Sequence, residues 1–204
     1  MDKSEYLEGK DFSIVLGGPF YQLLTRAHLS GKALELVKKR VIVLAMITWL
    51  PLFLLSMLKG QAWGEGTNLP FVLDIDVHIR FLLALPLFIM AELLVHQRLV
   101  LVVKEFQERK MIPESEMVKF HSAISSALRL RNSVVAEILM VIIIYVIGYQ
   151  LVWNQTAALD TSAWYTEPAV ANGNLSLAGI WFRYVSLPIF QFLFLRWYYR
   201  IFIW

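Results

Sequence analysis

Glu92 and His96 stand one helical turn apart at the end of an otherwise oily stretch, "FLLALPLFIMAELLVHQRLV". Residues four apart share a helix face, so a carboxylate and an imidazole here would address one neighbour together. Three kinds of chemistry use such a pair: a proton relay, a metal site, or the lining of an ion path. An ionisable group at membrane depth is costly and is a functional candidate by default. Glu137, near the start of "VVAEILMVIIIYVIGYQLVW", has the same standing. A structural account competes with all three. Both carboxylates lie near an end of their apolar runs, and a turn near Pro113 would bring Arg131 level with Glu92. A salt bridge between Glu92 and Arg131, at the membrane edge, is the expected arrangement.

A metal would need about three or four ligands, so Glu137 or His121 would have to converge on Glu92 and His96 from another helix. Nothing in the spacing requires that. Paired membrane histidines can ligate haem, but His78 and His96 fall at opposite ends of one run. No metal and no cofactor is therefore expected. On the other side of the same run, "DIDVHIR" sets Asp74 four residues before His78 and Asp76 four before Arg80, and Arg183 approaches from that side as well. Such a rim reads either as an ion vestibule or as an interfacial charge network anchoring helix ends; the network is the expectation. There is no phosphate-cradling glycine loop, no His-Glu zinc motif and no nucleophile beside a base. The chain has no cysteine, which removes disulfides, thiolate metal sites and a cysteine nucleophile. An enzyme is not the expected class; were it one, Glu92 and His96 would be its acid–base pair.

The elements that must position these groups are membrane helices. Apolar residues make up 58% of the 204 and charged residues 17%, against about 45–50% and about 25% in a water-soluble domain. The excess is concentrated in four runs, at about 41–58, 79–97, 134–153 and 180–200. Each approaches the roughly 20 residues that cross a bilayer as a helix. Continuous rather than alternating runs argue against a barrel. "MDKSEYLEGKDF" is acidic and polar and does not read as a secretory signal.

Positive charge orients the spans. Residues 1–40 carry Lys3, Lys10, Arg26, Lys32, Lys38, Lys39 and Arg40, and residues 98–133 carry as many again. The remaining loops hold Lys59, Arg80 and Arg183 beside acidic residues. Both termini are thus expected on the cytoplasmic side. Lys38, Lys39 and Arg40 are expected at the inner lipid interface, and Trp153, Trp164 and Trp181, with Trp63 and Tyr165, in an outer aromatic belt.

Two cytoplasmic extensions complete the expectation. Pro19, after Gly17-Gly18, suits a helix's first turn, and Phe20, Leu23, Leu24, Ala27 and Leu34 recur at helical spacing. That predicts an amphipathic helix over 19–40, broken or not at Gly31, either lying on the inner leaflet or packing against a span or second subunit. Residues 98–133 predict a helical hairpin turning at "MIPESEM", whose Leu99, Val102, Val103, Phe106, Phe120, Ile124 and Leu128 would close on each other or on copies of the chain. Its Glu residues, alternating with the basic ones, argue for a solvated surface and not for nucleic-acid binding. Pro51, Pro86 and Pro188 fall inside three different runs; each would kink its helix and free a carbonyl for a neighbour to satisfy. The fourth run, "IFQFLFLRWYYRIFIW", reads as a lipid- or subunit-facing surface.

"FSIVLGGPFYQLLTRA" and "LPFVLDIDVHIRFLLALPLFIMAELLVHQR" resemble segments of bacterial polytopic inner-membrane proteins. The resemblance implies an inner-membrane location and carries no activity. The ending "YYRIFIW" leads to the expectation that the natural chain continues. The chain thus reads as an all-α integral membrane protein, with residues 1–40 a cytoplasmic segment and 41–204 a four-span domain. A homo-oligomeric ion channel or transport-type protein is the leading expectation, since so few spans would need several copies to enclose a path. A non-catalytic membrane subunit or scaffold, docking a partner protein through the hairpin, is the alternative. Membrane lipids are partners in either case.

Overall fold

The computed structural model describes residues 18–26, 37–64, 67–109, 113–147, 163–167 and 174–203. Every regular element among them is a helix; two isolated β-bridges join Leu69 to Ala163 and Thr166 to Leu175. In chain order the elements are α1 (Pro19–Arg26), α2 (Val37–Thr48), α3 (Leu50–Leu58) and α4 (Ile75–His78). A π turn (Ile79–Ala84) carries α4 into α5 (Leu85–Glu108), and α6 (Met117–Arg131) and α7 (Val134–Ile143) follow. Last come α8 (Leu177–Trp181), a second π turn (Phe182–Ser186) and α9 (Leu187–Ile203).

Three continuous helices, Val37–Leu58, Ile75–Val103 and Leu177–Ile203, are long and apolar enough to cross a membrane. Met117–Arg131 and Val134–Ile147, bent by 48° at their junction, make a fourth if they count as one span. The shortest of the three has 22 residues, or about 33 Å at 1.5 Å per residue, against roughly 30 Å of hydrocarbon. Their outward faces keep Ile42, Met46, Leu54, Leu87, Leu94 and Ile142 exposed, an apolar surface far larger than water-soluble proteins present. Two of these helices, starting at Ile75 and Leu177, begin before their apolar runs do, where polar caps start them. Asp74 accepts from the Val77 N–H at 3.3 Å and Ser176 from the Gly179 N–H at 3.0 Å. Ser133 does the same for Ala136 at 3.3 Å, fixing the bend between α6 and α7. Residues 148–153 of the third run, Trp153 among them, lie outside the described residues, as does 27–36 of the expected N-terminal helix.

α1 starts at Pro19, as its sequence predicts, and packs its apolar face against the bundle. Leu24 is buried, and the Phe20 ring meets Phe192 of α9 edge-on at 5.2 Å. The hairpin closes on itself: Val103 of α5 and Ile124 of α6 are buried together, flanked by Leu99, Phe120 and Leu128. The side chain of Phe106 lies outside the described residues.

The main core lies toward the opposite end, around Leu52, Phe71, Phe81, Leu85, Ile89 and Trp164. There the two interhelical loops fold back over the bundle. The N–H groups of Phe71 and Val72 donate to the carbonyls of Gln61 and Ala62, both at 3.1 Å, and Trp164 N–H donates to Leu69 at 3.0 Å. The Gln61 amide donates to the Thr166 carbonyl at 2.7 Å. Gly179 lets α8 slide under this cap: a Cβ there would stand 2.1 Å from the Tyr165 carbonyl oxygen. Trp164, expected in the aromatic belt, is instead fully buried. Its rings pack against Phe71 at 5.0 Å and Phe182 at 5.3 Å, and its indole N–H donates to Asp74 at 2.8 Å. An indole serves a belt or a core equally well, provided its N–H finds an acceptor; here the loop supplies Asp74. Trp63 stays exposed.

Two of the three in-span prolines free carbonyls that distant side chains take up. Pro51 cannot donate to the Ile47 carbonyl, which accepts from the Trp181 indole N–H at 3.1 Å; next to it Ser186 donates to the Thr48 carbonyl at 2.7 Å. Pro188 cannot donate to the Tyr184 carbonyl, which accepts from the Tyr145 hydroxyl at 2.9 Å. The π turns Ile79–Ala84 and Phe182–Ser186 each end two residues before a proline, Pro86 or Pro188, where a proline ring displaces the carbonyl four residues earlier and a widened turn absorbs the change; a further π stretch, 144–147, follows α7. Tyr145→Phe is therefore expected to lower stability by about 1 kcal/mol, read as a drop in thermal unfolding temperature in mild detergent.

Candidate functional site

The carboxylates singled out by sequence form a buried strap of charge across the bundle. Glu92, on α5, accepts from two arginines: Arg40 of α2 on one oxygen, and Arg196 of α9, at 3.0 Å, on the other. Arg196 turns its Nε to Glu137 of α7 at 3.5 Å. The second oxygen of Glu137 accepts the Phe20 backbone N–H at 2.8 Å, at the first turn of α1. The order is α2, α5, α9, α7, α1, so one chain of contacts ties these five helices together. Glu92, Arg196 and Arg200 are 6%, 3% and 5% exposed, hence shielded from solvent and held by geometry. A carboxylate at the positive end of α1 also gains from the helix dipole.

Local sequence explains each position. On α2, Arg40 continues the buried stripe of Leu44, Thr48 and Leu52 at a spacing of four. From the second π turn into α9, Ser186, Leu193, Arg196 and Arg200 are buried at successive spacings of seven, three and four, one helical stripe that ends in two guanidinium groups. Gly18 lets the N-terminal segment reach the strap. Its φ is +89°, and a Cβ there would lie 3.0 Å from Glu137 Oε1 and 3.2 Å from the Arg131 carbonyl; few residues but glycine tolerate both. The Phe20 ring covers Arg196, whose guanidinium carbon stands 4.9 Å from the ring centroid.

Two expectations are corrected here. The cations at Glu92 belong to Arg40 and Arg196, whereas Arg131 was expected; Arg131 Nε donates to its neighbour Asn132 at 3.1 Å. The bend at Ser133 turns α6 away from the line of α7, which changes what lies level with Glu92. Arg40, expected at the lipid interface, has a side chain only 11% exposed, because Glu92 draws it inward. Lys38 and Lys39 are exposed. The side chains of His96 and His121 lie outside the described residues.

At the opposite end Asp76 and Arg80 pair at 2.6 Å, as their spacing predicts. Asp74 does not pair with His78. It caps α4 and holds Trp164, while His78 accepts from the Trp49 indole N–H at 2.9 Å on Nδ1 and contacts the Val72 carbonyl at 3.2 Å through Nε2. A proton on Nε2 satisfies both contacts. Arg183 lies over the Tyr184 ring, 5.5 Å from its centroid, and Trp181 is tied to the Ile47 carbonyl. These contacts fasten loops and helix ends together, but mostly through aromatic and backbone partners and not as the expected charge network.

Sequence reasoning missed Arg196 and Arg200, hidden in an aromatic run that reads as lipid-facing. Two signals point to them. They are four apart on the stripe that contains Leu193, and two carboxylates inside spans require cations at the same depth.

Comparison with family models, with curated proteins and with solved structures found no match for the chain.

Proposed function

We propose that the chain crosses a bacterial inner membrane four times with both termini cytoplasmic, and acts as a non-catalytic membrane subunit that presents its helical hairpin to a partner protein. One observation carries the reading: both acidic residues buried among the described residues, Glu92 and Glu137, are committed to arginines and to a backbone N–H. Groups so engaged hold helices in place, and neither of these two carboxylates is left free to carry protons. The positive-inside distribution of lysine and arginine supports the orientation. The hairpin supports the docking role: its arms bury Val103 and Ile124 on each other while Leu101 and Val118 stay exposed, Val118 by 77%.

The π turns before Pro86 and Pro188 favour a second reading, the homo-oligomeric ion channel or transport-type protein expected from the sequence. Widened turns recur where helices change shape in function. Purified protein in liposomes, under potassium, sodium, chloride and proton gradients in turn, distinguishes the two. The subunit reading expects no flux above protein-free liposomes; ion flux that Glu92→Gln alters while assembly stays intact overturns it.

A further inference from the structure

Between α1, α2, α7 and α9 lies a half-open cleft of about 700 Å³ walled only by apolar and aromatic side chains, within the roughly 300–1,000 Å³ typical of small-molecule sites. Phe20 and Leu24 form its end, and Val43, Val141, Val185 and Phe192 its sides. Tyr145 also lines it, but its hydroxyl is engaged by the Tyr184 carbonyl, so the wall calls for hydrocarbon. The end formed by α1 is rigidly placed, since Phe20 is held by Glu137 through its N–H and rests its ring on Arg196.

Beyond that end the surface is cationic. Lys39 shares a helix face with Val43 and Ile47, one turn further out, and Lys38 is exposed beside it; Arg26, also exposed, follows Leu23 on α1 by three residues. We propose that the cleft holds an acyl chain of an anionic phospholipid, its phosphate resting at Lys38, Lys39 and Arg26. Lipid tails gain little by leaving other tails for an apolar wall, so selection must come from the headgroup. Each basic residue near the surface strengthens attraction to an anionic lipid by about fivefold. The inference rests on the chain lying in a membrane and is independent of any protein partner.

The test places the whole protein in nanodiscs containing phosphatidylglycerol or phosphatidylcholine with a photoreactive group midway along one acyl chain, and maps labelled peptides by mass spectrometry. Phosphatidylglycerol is expected to label the segments around Val141 and Phe192 about fivefold or more above phosphatidylcholine. Lys38→Gln with Lys39→Gln, at exposed positions that leave the fold intact, should bring it down to the phosphatidylcholine level. Ile47→Trp, which fills the cleft from a residue 41% exposed, should remove labelling by both lipids. Equal labelling by the two lipids overturns the proposal, and so does labelling that ignores Ile47→Trp or cross-linking between two copies of the chain through the cleft.

Discussion

Arg196→Met is expected to lower the free energy of unfolding by about 3–5 kcal/mol, the range for removing one partner from a buried ion pair. The replacement keeps most of the side-chain length but removes the arginine bonded to both carboxylates, leaving Glu92 bonded to Arg40 and the charge of Arg200 nearby. Two carboxylates that each lose a bonded cation in a site 3–9% exposed cost more than the lost attraction itself. Asp76→Ala provides the contrast. It breaks an ion pair whose aspartate is 68% exposed, and its effect should stay under about 1 kcal/mol. Reversible unfolding of the two variants in mixed micelles measures the difference; equal effects would mean that the strap does not hold the bundle.

Trp164→Ala is the second large effect, about 3–5 kcal/mol. The indole is fully buried among Phe71, Tyr165 and Phe182, and its N–H holds Asp74, which also caps α4. Truncation therefore opens a cavity and loosens a helix start at once. Trp164→Phe restores the ring but not the hydrogen bond to a carboxylate, worth about 1.5–3 kcal/mol, so it should recover roughly half of the loss. Thermal unfolding of both variants reads this directly, with proteolysis between α3 and α4 as a local readout of the cap. If Trp164→Phe were as damaging as Trp164→Ala, the Asp74 contact and not the packing would dominate.

What sequence reveals here follows from where the physics is local. Long apolar runs announce membrane helices whatever their neighbours do, and Pro19 marks a start because its fixed backbone angle suits the first helical turn. Asp76 and Arg80 meet because a helix brings residues four apart together. The partners of Glu92 are 52 and 104 residues away, and nothing local chooses Arg196 over Arg131. Lys38, Lys39 and Arg40 look alike in sequence; only the buried stripe of α2 sends one of them inward. The loop cap depends on the Gln61–Thr166 and Asp74–Trp164 contacts, 105 and 90 residues apart, so Trp164 reads as a belt residue until its acceptor is located. Proline positions were legible, but not that Trp181 and Tyr145 would supply the missing donors.

Under the proposed reading, the strap, the freed carbonyls and the loop cap hold the helices together, and the hairpin is the part that meets another molecule. Native mass spectrometry of protein extracted gently from its own membrane tests that division of labour most directly. The account predicts a complex of fixed stoichiometry with a different polypeptide, lost when Val118→Asp places a charge on the exposed face of the hairpin. A closed assembly of four or more identical chains, unchanged by Val118→Asp, would contradict it and return the axial pore to first place.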